Sequence, residues 1–298
     1  MKKTLLIFGV SGFTGRHLCR YLKENVSEAD INIVGVVLRD QGTVTTDVDN
    51  LEVVNSLDDV AILNLLSKIR PAYILNLIGL FRAASYEEFM QTNVEISRNI
   101  LQGVVGMGAF ETRLLFIGSA AEYGAVRTNP VSEEDSTIPI SLYGLSKVFQ
   151  TEIVQFYHRV YQVQSVIART FNLTGQGISA SLSVGNFQKQ IDAAQDGDTI
   201  KVGNLDSERD FLDVDVAVRL YMALLLNGNA GEVYNVCSGK PVRIGDLLAT
   251  MIASSGKTLV LEVSHLLLRD NDISRIYGSR AKLDEFLIRI SEGRTHHV

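Results

Sequence analysis

The chain begins with an apolar run, Thr4 to Phe8, that passes directly into Gly9-Val10-Ser11-Gly12-Phe13-Thr14-Gly15. A helical stretch, Arg16 to Asn25, comes next, with Leu18 and Leu22 one turn apart. A short unbroken apolar run is what a strand buried on both faces of a parallel sheet needs. The G-x-x-G-x-x-G spacing lets the backbone turn tightly and approach a ligand closely, and the amides that open the next helix face an anion. Strand, glycine turn and helix in that order predict a dinucleotide phosphate site lined by Gly9, Ser11, Gly12, Phe13 and Gly15. Met1-Lys2-Lys3 before the apolar run imitates the start of a signal peptide. The run is short, however, and no small-residue cleavage site comes after it, so it reads as a first strand.

The same rhythm continues down the chain. Ile31 to Leu38, Leu51 to Val54, Tyr73 to Leu77 and Arg113 to Ile117 read as further strands. Helical patterns separate them at Val60 to Ile69, where Asp58 or Asp59 is placed to cap, and at Glu87 to Val105. Alternation of this kind to about residue 168 predicts an α/β fold, a doubly wound parallel sheet of the Rossmann type. Ligands bind such sheets at the carboxyl ends of the strands, where Gly9, Arg39, Gly79 and Ser119 all fall. Arg39 ends the second strand, where an acidic residue would hold ribose hydroxyls; an arginine there suits a 2′-phosphate and favours NADP, with NAD possible if Asp40 takes the acidic part. Ser56 and Leu57 come after the third strand, where an adenine would dock, and Asn76-Leu77-Ile78-Gly79 closes the fourth beside the cofactor.

Tyr143 and Lys147 stand four residues apart in a helical segment, on one face. An ammonium beside a phenol favours the phenolate, which predicts a Tyr143 pKa drawn down from roughly 10 towards neutral. A phenol so poised gives or takes a proton at a carbonyl or alcohol. With Ser119 at the neighbouring strand end, these groups make a site for moving a hydride to or from a carbonyl carbon, the hydride travelling on the cofactor.

Composition narrows the class. A net charge of -6 and the lack of any basic block argue against a nucleic-acid surface. No apolar run is long enough to span a membrane. The two cysteines, Cys19 and Cys237, have no metal-ligand spacing and read as thiols in a reducing, cytoplasmic setting. No metal site is expected, and the adjacent His296 and His297 read as exposed.

Taken together, Gly9 to Gly15, Asn93-Val94, Ser119 with Glu122-Tyr123-Gly124, and Tyr143-x-x-x-Lys147 resemble the extended short-chain dehydrogenase/reductases, in family order over nearly the whole chain. Arg169 to Asn172, Val202 to Phe211 and Val233 to Gly239 are similar to segments of the family's GDP-sugar branch. The resemblance implies roles. Tyr143 would protonate the substrate oxygen. Lys147 would tune Tyr143 and hold the nicotinamide ribose. Ser119 would bond the reacting oxygen, with Ala120 and Glu122 beside the substrate. Asn93 would lie at the cofactor. Asn172, Lys189 and Arg209 would hold a nucleotide-sugar diphosphate, the planar fork of arginine suiting it. The alternatives are a solvated Lys189 and an ion pair from Arg209 to Asp210 or Asp213. A homodimer through the helices near 87–107 and 141–161 is also implied.

The implied activity is reduction, with NADPH, of the 4-keto group of a GDP-4-keto-6-deoxyhexose. The dehydratases of the family carry a glutamate two residues after the catalytic serine or threonine; here that place is Ala121, and Glu122 in an extended backbone would point the other way. Rival readings are a nucleotide-sugar 4-epimerase or 4,6-dehydratase with tightly held NAD(P), and a non-catalytic NADP-binding regulator. Leu80-Phe81-Arg82 after Gly79 departs from the family pattern. By domain, 1–168 is the dinucleotide-binding part, 211–237 returns to it, and 169–298 forms a smaller substrate lobe.

Overall fold

The computed structural model describes residues 2–26, 31–39, 48, 50–268 and 272–295, with side chains to 292. Asp40, Arg269, Asp270, Asn271, His296 and His297 lie outside the described residues.

The first part of the chain alternates strands and helices. It runs through β1 (Lys3–Phe8), α1 (Phe13–Asn25), β2 (Ile31–Leu38), β3 (Asn50–Val54), α2 (Asp59–Ile69) and β4 (Tyr73–Asn76). Then come α3 (Tyr86–Phe89), a π turn (Met90–Glu95), α4 (Ile96–Gly106), β5 (Arg113–Ser119), α5 (Leu142–Tyr161) and β6 (Gln164–Thr170). The second part carries β7 (Asn172–Thr174), α6 (Ser183–Ala193), β8 (Thr199–Val202), β9 (Glu208–Asp213), α7 (Val214–Asn227) and β10 (Val233–Val236). It ends with β11 (Pro241–Arg243), α8 (Ile244–Ser255), β12 (Val260–Val263), β13 (Arg275–Ile276) and α9 (Ala281–Thr295).

Among the described residues, seven strands pair in the order β10-β6-β5-β4-β1-β2-β3. Each neighbouring pair is parallel. This is the doubly wound sheet expected from the sequence. The reason lies in β1: Leu5 and Ile7 enter one core with Leu18, Leu22, Val218 and Leu224, while Leu6 and Phe8 enter the other with Ile62, Leu66, Ile100 and Val154. All four β1 side chains are fully buried, so a strand at this position has no polar face and its sequence cannot alternate. β10 rejoins the sheet beside β6 after the chain has left it.

The other strands lie outside this sheet. β9 pairs with β7, β11 and β13, and β8 with β12. Phe187, Ile191, Ile200, Val202 and Leu248 close a small core beneath α6 and α8.

The long helical segment expected from Glu87 to Val105 is present, running from Tyr86 to Gly106, with the π turn inserted within it. The extra residue in that turn swings Asn93 fully inside. There Asn93 Nδ2 donates to Leu80 O (2.9 Å) and to Ser146 Oγ (2.9 Å), and its Oδ1 accepts from Leu80 N (2.8 Å). An amide with both ends satisfied offsets the distortion of the helix.

Candidate active site

The carboxyl ends of β1, β4 and β5 and the start of α5 meet on one edge of the sheet. At β1, the turn into α1 has the form of an anion cradle. A Cβ on Gly15 would stand 2.2 Å from Gly9 O, so only glycine lets the turn close. The α1 N-terminus has Gly12 as its cap residue, with no side-chain cap and no acidic residue in the first turn. By contrast, Asp58, Ser85, Ser141 and Asp213 cap α2, α3, α5 and α7 with their side chains. The α1 amides are therefore not taken by a side chain, and the residues present fit the diphosphate of a dinucleotide. Arg16 Nη1 folds back to Ser11 O at 2.7 Å. Arg39 is exposed directly beyond β2.

Ser119 ends β5 and caps the short turn after it, its Oγ accepting from Ala121 N at 3.2 Å. Gly144 lets α5 press against that turn: a Cβ there would lie 2.4 Å from Ala121 O. This contact brings Tyr143 to Ser119. The two side chains share a hydrogen bond, and Phe89 packs near the Tyr143 ring at 6.3 Å between centroids. Lys147 lies one turn further into the protein, almost fully buried. Its Nζ donates to Ile117 O (2.8 Å) and to Gln150 Oε1 (2.7 Å).

The electrostatics correct the sequence expectation for the phenol. Burial pushes Tyr143 up to about 12, against the Ser119 hydrogen bond, which lowers it. Burial also brings Lys147 down to about 8, the Glu122 charge opposing. The ammonium spends its described bonds on Ile117 and Gln150 and not on the phenol. Tyr143 is thus set as a proton donor, not as a phenolate.

Three further expectations change. Asn76, Asn93 and Glu122 are expected at ligands, yet all three side chains are buried and turned into the protein. Asn76 bonds Ser97 Oγ (3.2 Å) and Ile78 N (3.1 Å). Glu122 is taken up by Ser119 N, Thr151 Oγ1 and Arg169 at 2.7, 2.9 and 2.8 Å. Ala120 is half-buried and packs beneath the same turn. Leu77 N donates to Phe8 O at 3.0 Å and ties the end of β4 to β1, while Gly79 is exposed just beyond it, with Phe81 and Arg82 exposed after that. Ser56 Oγ donates to Asp58 at 2.6 Å, and Leu57 O accepts from Asn99.

In the second part of the chain, Asn172 and Arg209 sit on the paired strands β7 and β9. Asn172 Nδ2 donates to Asp210 O at 3.0 Å. Arg209 forms an ion pair, but its partner is Asp272 at 2.7 Å, not Asp210 or Asp213. Asp210 is buried and accepts from the amides of Ser238, Gly239 and Gly278. Lys189 is exposed on α6, and the described contacts do not join it to Arg209. Sequence reasoning missed Gln150, Arg169 and Asp272. The signal for Gln150 was its i+3 spacing from Lys147 on a buried face; Arg169 and Asp272 gave none, because their partners are distant in sequence.

Residues 5–237 match the model of the NAD dependent epimerase/dehydratase family. The chain is 29% identical over 296 residues to GDP-6-deoxy-D-mannose reductase of Pseudomonas aeruginosa, covering 96% of this chain and 91% of the relative. It is 27% identical over 286 residues to GDP-6-deoxy-D-talose 4-dehydrogenase of Aggregatibacter actinomycetemcomitans, covering 94% and 89%. The solved structure of RMD from Pseudomonas aeruginosa complexed with NADPH superposes with a TM-score of 0.79 at 25% identity, over 95% of this chain and 92% of that one.

Proposed function

The chain belongs to the NAD dependent epimerase/dehydratase family, and on that premise we propose that it reduces the 4-keto group of a GDP-bound 4-keto-6-deoxyhexose with NADPH. Its relatives act on nucleotide sugars as oxidoreductases, dehydratases and epimerases, so a nicotinamide dinucleotide and a nucleotide sugar are the ligands to account for.

One observation carries the reading. Residue 121 is alanine, and the next residue, Glu122, is wholly buried and bonded to Arg169, Thr151 and Ser119. Beside Ser119, no carboxylate on this turn is left to remove a proton from carbon, as 4,6-dehydration requires. Reduction asks for less. NADPH supplies the hydride when bound. Tyr143, held protonated by burial, donates its proton to the sugar oxygen. The Ser119 hydroxyl, already bonded to Tyr143, orients that oxygen. Lys147 places a positive charge next to the phenolate that forms, and the charge is worth most in a site removed from water.

The remaining assignments rest on position. Gly9, Ser11, Gly12, Phe13 and Gly15 would hold the diphosphate of the dinucleotide, and Leu77 and Gly79 its nicotinamide half. Arg39 would pair with a 2′-phosphate, which favours NADP over NAD. Arg209, Asn172 and Lys189 receive the GDP diphosphate, Asp272 holding the Arg209 fork in place. A second copy packs on the exposed apolar stripe Leu142, Phe149, Phe156 and Val160 of α5. The two buried free cysteines accord with the cytoplasm. No helix among the described residues is long and apolar enough to cross a membrane.

The deciding experiment incubates the protein with NADPH and a panel of 4-keto nucleotide sugars while dihydronicotinamide absorbance is monitored. Consumption of NADPH with GDP-4-keto-6-deoxymannose supports the reading. Purification with stoichiometric NAD, and interconversion of epimers without net oxidation, would replace it with an epimerase.

A further inference from the structure

We propose that Gln150 is a positioning residue for Lys147: its amide oxygen holds the ammonium against the Ile117 carbonyl and keeps it charged at the pH where the enzyme works. The inference rests on the reading of Lys147 as part of the catalytic set.

The geometry leaves little freedom. Lys147 and Gln150 are one turn apart on α5, and both are buried, with 4% and 1% of their surface exposed. An ammonium only donates, so the amide must present its oxygen, at 2.7 Å. Gln150 Nε2 is thereby turned to Ser97 Oγ at 2.8 Å. Ser97, fully buried, also accepts from Asn76 Nδ2 and donates to Asn93 O at 3.0 Å. Both ends of the Gln150 amide are bonded, so it cannot flip without breaking its bonds to Lys147 and to Ser97 together. Of the three ammonium hydrogens, Ile117 O and Gln150 Oε1 take two, and the third is left for a ligand.

The charged surroundings explain why a neutral amide matters here. Among the described residues, Glu122 on the turn after β5 is the charge that acts on Lys147, and Tyr143 stands one turn away on α5. β5, the segment after β4 and the π turn offer the Ile117 carbonyl, the Gly79 backbone and the Asn93 amide. Glu122 is already paired with Arg169. Burial works against the ammonium and brings Lys147 down to about 8, so the loss of an acceptor would bring its titration into the neutral range. A carboxylate in place of Gln150 would pin the ammonium; the amide holds it without a competing charge.

The test reads Lys147 directly in the cofactor-free protein. Lysine labelled with 13C at Cε is titrated by NMR, the Lys147 resonance being identified by its loss in Lys147→Met. Gln150→Leu is expected to lower the midpoint by about one unit or more, the size of a lost hydrogen bond to a charged group. Gln150→Glu is expected to raise it, and this variant decides the matter if Gln150→Leu does not fold by circular dichroism. The alkaline limb of kcat should move with each midpoint, and lowering the pH should restore Gln150→Leu turnover. A merely structural role would lower kcat at every pH without moving the limb. Midpoints within a few tenths of wild type overturn the proposal. Shifted midpoints in a protein that reduces no 4-keto sugar support the proposal and remove the reductase reading instead.

Discussion

Arg169 Nη2 lies 2.8 Å from Glu122 Oε2, and both side chains are almost wholly excluded from water. The pair does more than neutralise itself. Glu122 Oε1 accepts from Ser119 N at 2.7 Å, and the Arg169 guanidinium covers the Tyr123 ring at 4.6 Å. The Tyr123 hydroxyl in turn donates to Asn235 on β10 at 2.7 Å. The backbone of Ser119 is thus tied through one ion pair to β6 and β10. Removing the carboxylate leaves a buried guanidinium unpaired, so Glu122→Leu should destabilise the protein by about 3–5 kcal/mol. Urea unfolding measures this; a change below about 1 kcal/mol would mean that the pair contributes no more than a surface one.

Lys147 makes stability depend on pH in a defined window. Its folded pKa, about 8, lies below its ordinary value of 10.5. Between these values the unfolded chain holds a proton that the folded chain has released, so raising the pH stabilises the fold. The full shift corresponds to roughly 3 kcal/mol. The stability difference between wild type and Lys147→Met should therefore be flat below about pH 8 and rise in favour of wild type towards pH 10.5. Tyr143 titrates with the opposite sign, but it does so in both proteins. Urea unfolding of the pair across this range gives the slope, and a flat difference would show that Lys147 titrates as an exposed lysine does.

The cofactor cradle separates two kinds of glycine. A Cβ on Gly12 would meet only Gly9 O, at 3.4 Å, whereas one on Gly15 collides with backbone at 2.2 Å. Gly12→Ala should fold normally and lose NADPH affinity about tenfold or more, because the methyl group occupies the face where a diphosphate would approach. Gly15→Ala should disturb the turn itself and lower the melting temperature as well. Fluorescence titration with NADPH, together with thermal melts, distinguishes the two.

Phe156 is 44% exposed on α5, with Tyr157 and Tyr161 each in edge contact with its ring and tilted against one another. If a second copy covers this stripe, Phe156→Glu should convert a dimer to a monomer with little loss of intrinsic fold stability. Light scattering of wild type and variant reads the outcome, and a monomeric wild type would remove the dimer.

The sheet was legible in the sequence because a central parallel strand must be apolar on both faces. Leu5, Leu6, Ile7 and Phe8 fit that demand, and the glycine turn after them marks where α1 begins. Ser119, Tyr143 and Lys147 were legible as a spacing, and the fold brings them to one edge. Their protonation was not: the sequence shows Lys147 on the face of Tyr143, but not the burial that raises one pKa and lowers the other. The π turn was hidden for a related reason. Asn93 looks like an ordinary helical residue until Leu80, thirteen positions away, and Ser146 supply the partners for its amide. Glu122 and Arg209 show the same limit. Each is a charge whose meaning depends on a partner, Arg169 or Asp272, that only the folded chain brings near.

Turnover by Tyr143→Phe tests most directly whether Tyr143 is the proton donor in a carbonyl reduction. The substitution removes only the hydroxyl from a half-buried ring, so the fold and the cradle at Gly9 to Gly15 should be unaffected. With GDP-4-keto-6-deoxymannose, NADPH consumption should fall by about a thousandfold, within the range that general acids contribute, while NADPH binding changes less than about twofold. Turnover close to that of wild type in Tyr143→Phe would contradict the assignment of Tyr143 as the donor.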